Sequence, residues 1–195
     1  MEWINDIKEK FSKRRIRNLD RAKEYPRDFV DIESARLIGM IINVNILTEE
    51  DEKSLKSYME ALIKRKKKLF IVELNFNKKS EPKFDKMADS VFIDPSKLNW
   101  MDWPTPAIEN KILGFDMDIL MDFDFSTRKT SKYLCSMAKA RTRTGVHREG
   151  YESCYELMVN QSDESDEPSM KAVIKKFDYF LSMIDNGKKE KVKVK

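Results

Sequence analysis

Long apolar runs alternate with amphipathic segments through the middle of the chain. Such runs are typical of strands buried on both faces, and a sheet of this kind needs helices over each side. Parallel pairing also requires a helical crossover between strands. The pattern therefore predicts an α/β fold, a three-layer Rossmann-like or flavodoxin-like domain with a mainly parallel sheet of five to six strands. The predicted strands are residues 35–44, 69–76, 91–93, 118–123 and 142–146, with a short edge strand at 155–159.

A strand, loop, helix and strand between Gly114 and His147 form the unit around which this prediction is organised. The first strand ends near Phe123, the helix runs through Ala138, and the second strand ends near Val146. The first strand is apolar enough to be buried on both faces. The unit is therefore predicted to be one βαβ crossover of the parallel sheet.

Three further segments have the features of helix starts. Thr48 begins the sequence T-E-E-D, in which a hydroxyl and a later carboxylate can cap a helix. Thr105 followed by Pro106 also suits a helix start, because proline fits the first helical turn. After Ser169, apolar residues recur on one helical face until Asn186. We expect a helix in each of these places.

The amino-terminal segment combines a helical pattern with concentrated positive charge. Ile4, Ile7 and Phe11 fall on one helical face, and nine Lys and Arg residues lie in the first 27 positions. Charge segregation of this kind predicts separate parts of the chain. The predicted parts are a basic amphipathic helical extension at 1–33, the α/β domain at 34–187 and a disordered lysine-rich tail at 188–195.

Composition narrows the class of protein. Apolar residues make up 41% of the chain and charged residues 37%, so the chain can bury a core beneath a heavily charged surface. No apolar run approaches the length of about 18 residues that indicates a membrane span. No apolar stretch typical of a secretory signal follows the first positive charges. We therefore expect a cytoplasmic protein without a transmembrane segment.

The basic extension points to a partner with negative charge. Its cations can contact RNA phosphates while its apolar stripe packs on the domain, so RNA or the ribosome is a predicted partner. A purely structural helix, whose apolar stripe packs on the domain edge and whose cations are solvated, is the other main interpretation. An anionic membrane surface is a minor alternative. The candidate nucleic-acid-binding residues are Lys10, Lys13, Arg14, Arg15, Arg17 and Arg21 in the extension, with Arg141, Arg143 and Arg148 near the fifth predicted strand.

Polar residues follow two of the predicted central strands. Ligands of open α/β sheets bind beyond the carboxyl ends of the strands, where the strand order reverses. With the order 3-2-1-4-5, that crevice lies between the strands ending near Val44 and Phe123. Asp122 and Asp124 could share a metal ion or acid/base chemistry there, or Asp124 or Ser126 could cap the next helix. The candidate crevice residues are Asn43, Asn45, Asp122, Asp124, Ser126 and Thr127.

No motif in the sequence assigns a catalytic residue, a metal site or a cofactor. The glycine-rich motifs of dinucleotide binding and of P-loop hydrolysis are both absent. Cys135, Cys154 and His147 do not have the spacing of zinc ligands. We therefore expect a solvent-facing His147, reduced cysteines and no self-sufficient enzyme activity.

Two resemblances accompany these patterns. Over residues 33–184 the layout resembles a family of small uncharacterised α/β proteins of Bacteroidota, which implies the same fold. Its markers are ARLIGMIINV, LFIVELNF, DSVFID, FDMDILMDF, KARTRTGVH and YELMV. Residues 115–147 are also similar to the amino-terminal half of heptosyltransferase-type glycosyltransferases. The matching positions in that shorter stretch are Asp118, Asp122, Arg143 and Gly145.

These features together favour a non-enzymatic accessory module that binds RNA or a ribonucleoprotein through its basic helix. The local resemblance to glycosyltransferases implies one alternative, a minimal or degenerate glycosyltransferase-like or nucleotide-binding enzyme. A membrane-surface adaptor is the second alternative.

Overall fold

A computed structural model describes residues 27–77, 81–126, 128–160 and 169–184, together with Lys10 and Arg14. The described part contains one sheet of six strands, all parallel, in the order β3-β2-β1-β4-β5-β6. The predicted α/β class and strand order are confirmed. The strands are β1 Leu37–Asn43, β2 Lys68–Leu74, β3 Asp89–Ile93, β4 Asp116–Asp122, β5 Lys139–Val146 and β6 Leu157–Val159.

Helices cover both faces of the sheet. The first face packs against α1, Glu49–Lys64, and α4, Met170–Ser182. The second face packs against α2, Pro106–Leu113, and α3, Lys129–Met137. The domain is therefore a three-layer sandwich, with one apolar core on each side of the sheet. Short 3-10 turns lie at Val44–Ile46, Pro95–Lys97 and Glu152–Cys154.

The central strand β1 is buried on both faces, which accounts for its continuous apolar run. Six of its seven residues are buried, as expected for a strand with a neighbour on each side and a helical layer over each face. Its Ile41 lies opposite Val72 of β2 and Asp122 of β4. Side chains of alternate β1 residues enter opposite cores, so one continuous apolar run supplies both.

The start of α1 has the predicted cap. The Thr48 hydroxyl accepts from the Asp51 amide at 3.1 Å, and the Asp51 carboxylate accepts from the Thr48 amide at 3.1 Å. This reciprocal pair satisfies two amides that the helix leaves free. At α2, Pro106 takes the predicted first position, but the Thr105 side chain makes no capping bond.

Residues 27–36 cross the amino-terminal edge of the sheet. The Asp28 amide donates to the Arg141 carbonyl at 3.0 Å, and the Ile32 amide donates to the Leu181 carbonyl at 3.3 Å. Val30 and Ile32 are buried in the first core. The packed domain therefore begins before residue 34, and this corrects the predicted boundary. Long-range hydrogen bonds and side-chain burial place this segment in the domain, and the short sequence before β1 displays neither as a pattern.

Other predictions fall partly or wholly outside the described residues. Within the predicted amino-terminal helix, Lys10 and Arg14 are described, and both are helical and exposed. The rest of that helix, the acidic segment 162–167 and the tail 188–195 lie outside the described ranges. In the part of the chain that the structure covers, each helix is too short or too polar to cross a bilayer.

Side chains of β4 occupy the space next to Gly39 of β1. A β-carbon at this position would lie 2.2 Å from the Met117 sulfur and 3.0 Å from Leu120 Cδ1. Met117 and Leu120 are both buried, so neither side chain has free space into which it can move. These two side chains therefore fill the space that a side chain at position 39 would need.

We expect Gly39→Ala to lower the free energy of unfolding by about 1–3 kcal/mol, because the new methyl group overpacks this core. Urea denaturation measures the change. Gly114→Ala is the matched control, since Gly114 is exposed and has ordinary helical backbone angles. Its stability should stay within about 0.5 kcal/mol of the parent. Equal losses in the two variants would contradict the packing argument.

Candidate functional site

The carboxyl ends of β1 and β4 meet at the point where the strand order reverses. The chain leaves β1 toward α1 on one face of the sheet and leaves β4 toward α3 on the other. This divergence opens the position at which α/β sheets commonly hold ligands. The candidate site is therefore the polar cluster between the ends of these two strands, with its extension to the end of β2.

Asp124 is the centre of this polar cluster. Its Oδ1 accepts from the Asn43 side-chain amide at 2.9 Å and from the Ser126 backbone amide at 2.9 Å. The residue is fully buried, and Oδ2 has no hydrogen-bond partner in the described part of the chain. A buried oxygen of this kind can accept a hydrogen bond from a water molecule or a ligand hydroxyl.

A second set of amide side chains extends the cluster to β2. The Asn45 side-chain amide donates to Asn75 Oδ1 at 3.2 Å, while its own Oδ1 accepts from the Phe76 amide at 2.7 Å. Asn75 Oδ1 also accepts from the Asn77 amide at 2.9 Å. These bonds tie the residues that follow β1 to those that follow β2.

Asp122 lies beneath the cluster and is fully buried. Its Oδ2 accepts from Arg148 Nη2 at 2.6 Å, from the Tyr155 hydroxyl at 2.5 Å and from the Cys135 thiol at 3.6 Å. Its Oδ1 accepts from the Asp124 amide at 2.9 Å. One carboxylate therefore joins β4 to α3 and to the segment that connects β5 with β6.

Burial and the partner's charge shift the pKa values of Asp122 and Arg148 in opposite directions. Burial raises the pKa of the Asp122 carboxyl, and the Arg148 guanidinium opposes that rise. For Arg148, burial favours a lower pKa, but the Asp122 carboxylate outweighs it and holds that pKa above its usual range. Burial, together with the nearby carboxylate, also raises the pKa of the Cys135 thiol and of the Tyr155 hydroxyl. The thiol and the hydroxyl therefore stay protonated and can donate to Asp122.

Local packing explains how Tyr155 reaches Asp122. A β-carbon on Gly145 would lie 2.4 Å from Tyr155 Cζ, so the glycine provides the space for the aromatic ring. The rings of Tyr151 and Tyr155 stack with centroids 6.4 Å apart. Arg148 lies 3.9 Å from the Tyr151 ring centroid, which adds a cation–π contact to its ion pair.

The structure brings most of the predicted crevice residues together. Side-chain hydrogen bonds link Asn43 directly to Asp124 and Ser126. The backbone amide of Asn45 donates to Asn43 Oδ1 at 3.1 Å. Thr127 lies outside the described residues. Asp122 and Asp124 do not share a strand face, because β4 ends at Asp122. The idea of a paired-carboxylate site on one strand is therefore wrong in its geometry.

The alternative role for Asp124 and Ser126 as helix caps also needs correction. The cap position of α3 is Arg128, and its side chain makes no capping hydrogen bond. Asp124 instead bonds to the Ser126 amide, and Ser126 Oγ accepts from the Arg128 amide at 3.3 Å. Both side chains stabilise the loop before the helix.

Two of the three predicted strand-end cations are interior residues. Arg143 is fully buried and donates to the carbonyls of Cys135 and Ala138 at 3.0 and 2.9 Å. Arg148, whose side chain is 11% exposed, is held by Asp122, whereas the more exposed Arg141 pairs with Asp28 at 2.9 Å. The prediction of one basic surface patch from these arginines is therefore corrected, because their guanidinium groups pair with carboxylates or donate to carbonyls of the protein itself.

Sequence reasoning missed two members of the site. Asn75 follows β2 at the same edge as Asn43, so the rule that strand ends meet could have identified it. No feature of the sequence identifies Tyr155, because its contact with Asp122 depends on the path of the chain after β5. The prediction that His147 faces solvent is confirmed, and both cysteines are free and buried. Among the described residues, no group of three or more acidic, cysteine or histidine side chains could hold a metal ion.

We expect Asp122→Asn to lower the free energy of unfolding by about 3–5 kcal/mol, because it leaves the Arg148 charge buried without its counter-charge. Asp116→Asn is the matched control. Asp116 is exposed and lies 3.6 Å from the exposed Lys139, so its loss should cost less than about 1 kcal/mol. Urea denaturation compares the two. Adding Arg148→Met to Asp122→Asn should recover part of the loss, and a further loss would contradict the ion-pair argument.

We also expect stability to fall as the pH rises above about 8.5, the ordinary thiol value. Cys135 has a raised pKa in the folded state, so its stabilising contribution is complete below the unfolded-state pKa and is lost above it. Urea midpoints between pH 7 and 10 measure the trend. Cys135→Ala should flatten the early part of that fall, and an unchanged pH dependence in the variant would count against the assignment.

Comparison with a family model identifies the family of the chain. No curated protein matches the chain at significant similarity. The model of a family of unknown function, DUF6913, matches residues 8–183, which include β1 to β6 and the polar cluster between the ends of β1 and β4. The chain belongs to the DUF6913 family.

Proposed function

We propose that this protein is a non-enzymatic accessory module of the cytoplasm that binds RNA, free or in a ribonucleoprotein such as the ribosome, through its basic amino-terminal segment. The observation that carries the proposal is the concentration of charge, with nine Lys and Arg residues against five acidic ones in the first 27 positions. Clustered cations bind phosphates and release counterions, which is the main source of affinity in such complexes.

The way in which the basic segment joins the domain supports this proposal. Arg27 contacts the Glu156 carboxylate and donates to the Ser153 carbonyl at 3.2 Å. Asp28 and Val30 then bond to Arg141 and Thr142 of β5. The cations before Arg27 are therefore attached to a firmly held point on the domain, while Arg27 itself is used as the anchor.

The contacts at the carboxyl edge of the sheet agree with a binding role. The carboxylate of Asp122 is engaged by Arg148 and Tyr155, and the side-chain amide of Asn43 is engaged by Asp124. These polar groups stabilise the loops that connect the strands to α1 and α3. Their present contacts are those of a structural network.

We expect the intact protein to bind a labelled single-stranded RNA with strong salt dependence. Roughly five phosphate contacts of the extension, at about 0.7–0.9 per contact, contribute between about −3.5 and −4.5 to the slope of log K against log salt. Fluorescence anisotropy at several salt concentrations measures this slope. Replacement of the extension cations by glutamine should move the slope toward zero; these are Lys10, Lys13, Arg14, Arg15, Arg17 and Arg21.

A matched control removes the same charge from the domain surface. It changes six of the exposed lysines of the domain to glutamine, namely Lys64, Lys66, Lys68, Lys86, Lys111 and Lys129. This control should keep most of the slope if the extension makes the phosphate contacts. A loss equal to that of the extension variant would show that net charge alone is responsible, and would refute the proposal.

The same samples test the two alternatives. Co-sedimentation with anionic vesicles but not with RNA would support a membrane-surface adaptor. Thermal stabilisation by nucleotides or nucleotide sugars that is lost in Asp124→Asn would support a glycosyltransferase-like or nucleotide-binding protein. Asp124 is the appropriate residue for this test, because Asp122→Asn is expected to destabilise the domain by itself.

A further inference from the structure

We propose that the groove between α1 and α4 is a second contact site for the phosphates of the bound RNA. This inference rests on the proposed RNA binding and adds a surface of the folded domain to it. The groove has a volume of about 420 Å³ and is lined by residues of both helices. Its polar lining consists of Glu50, Lys53, Ser54, Ser57, Lys171 and Lys175.

Two sets of contacts hold the walls of the groove at fixed positions. At one end, the Met170 amide donates to Asp51 Oδ1 at 3.1 Å. At the other end, Asp178 accepts from Arg65 at 3.0 Å and from the Tyr58 hydroxyl at 3.4 Å. Residues 170 and 178 are eight positions apart, so the helix spans about 12 Å between these contacts. A site with fixed walls needs little rearrangement to bind.

Positive charge dominates the groove. Lys53, Lys171 and Lys175 are exposed, and Glu50 is the single acidic residue in the lining. None of the three lysines forms an ion pair within the described ranges. Lys171 and Lys175 are four positions apart on α4, where like charges repel each other. An anion between them would relieve this repulsion.

The chemistry of the lining suits phosphate groups along a strand. Lysine ammonium groups are compact charges that bind phosphate oxygens, and the Ser54 and Ser57 hydroxyls can donate further hydrogen bonds. Tyr58 is almost buried and directs its hydroxyl to Asp178, so it offers no exposed face on which a base could stack. The geometry therefore points to contact with the RNA backbone and not with its bases.

The test uses the full chain with Lys53, Lys171 and Lys175 changed to glutamine. We expect the slope of log K against log salt for the labelled RNA to become less negative by about 2, since three contacts at about 0.7 each are lost. Exposed lysine substitutions should leave the urea midpoint unchanged, which verifies the fold. Glu50→Gln should tighten RNA binding, because it removes the opposing charge.

The control variant changes Lys86, Lys111 and Lys129, which are exposed lysines outside the groove. An equal effect of the control and the groove variant overturns the groove site. A groove variant that binds like the parent, beside an extension variant that does not, overturns the groove and leaves the proposed function intact. The reverse result supports the groove and overturns the role of the extension. Absence of RNA binding by the parent, or binding of free nucleotides alone, overturns both.

Discussion

The buried contact between Asp122 and Arg148 determines how the carboxyl edge of the sheet is assembled. Breaking a buried charge pair costs far more than losing an exposed one, so the chain around it has little freedom. One oxygen of Asp122 receives Arg148 and Tyr155, which fixes the connection between β5 and β6. The other oxygen holds the Asp124 amide, and Asp124 in turn holds Asn43 at the end of β1.

The architecture could be predicted because its causes are local. The residues of β1 form an unbroken apolar run, and the threonine and aspartate that cap α1 are three positions apart. Membership of the polar cluster was also accessible, since parallel strands bring Asn43 and Asp124 to one edge. The roles of the individual residues could not be predicted in the same way. Arg143 and Arg148, for instance, look like surface cations until their distant partners are known. The Glu156 carboxylate, for example, lies 3.7 Å from the Arg143 guanidinium, although the two residues are 13 positions apart in the sequence.

The anchor of the basic segment, the network around Asp122 and the lysine groove lie in three different places on the sheet. Residues 27–36 and the anchor of the basic segment lie at the amino edge, while the network around Asp122 occupies the carboxyl edge. The lysine groove runs over the face covered by α1 and α4. The proposed phosphate contacts thus lie away from the buried network, so stability and binding depend on different residues. Variants of the two kinds can be interpreted independently.

The sequence separation of the Asp122 partners also sets an order for folding during synthesis. Arg148 follows Asp122 by 26 residues, and Tyr155 follows it by 33. Before both have left the ribosome, the Asp122 carboxylate has no counter-charge and must remain hydrated. The first four strands are therefore unable to close as an independent unit, even though they include the centre of the sheet. Completion of the second core waits for the segment before β6, and completion of the first core waits for α4. A nascent chain that stops short of Tyr155 would therefore expose apolar surface to chaperones and proteases.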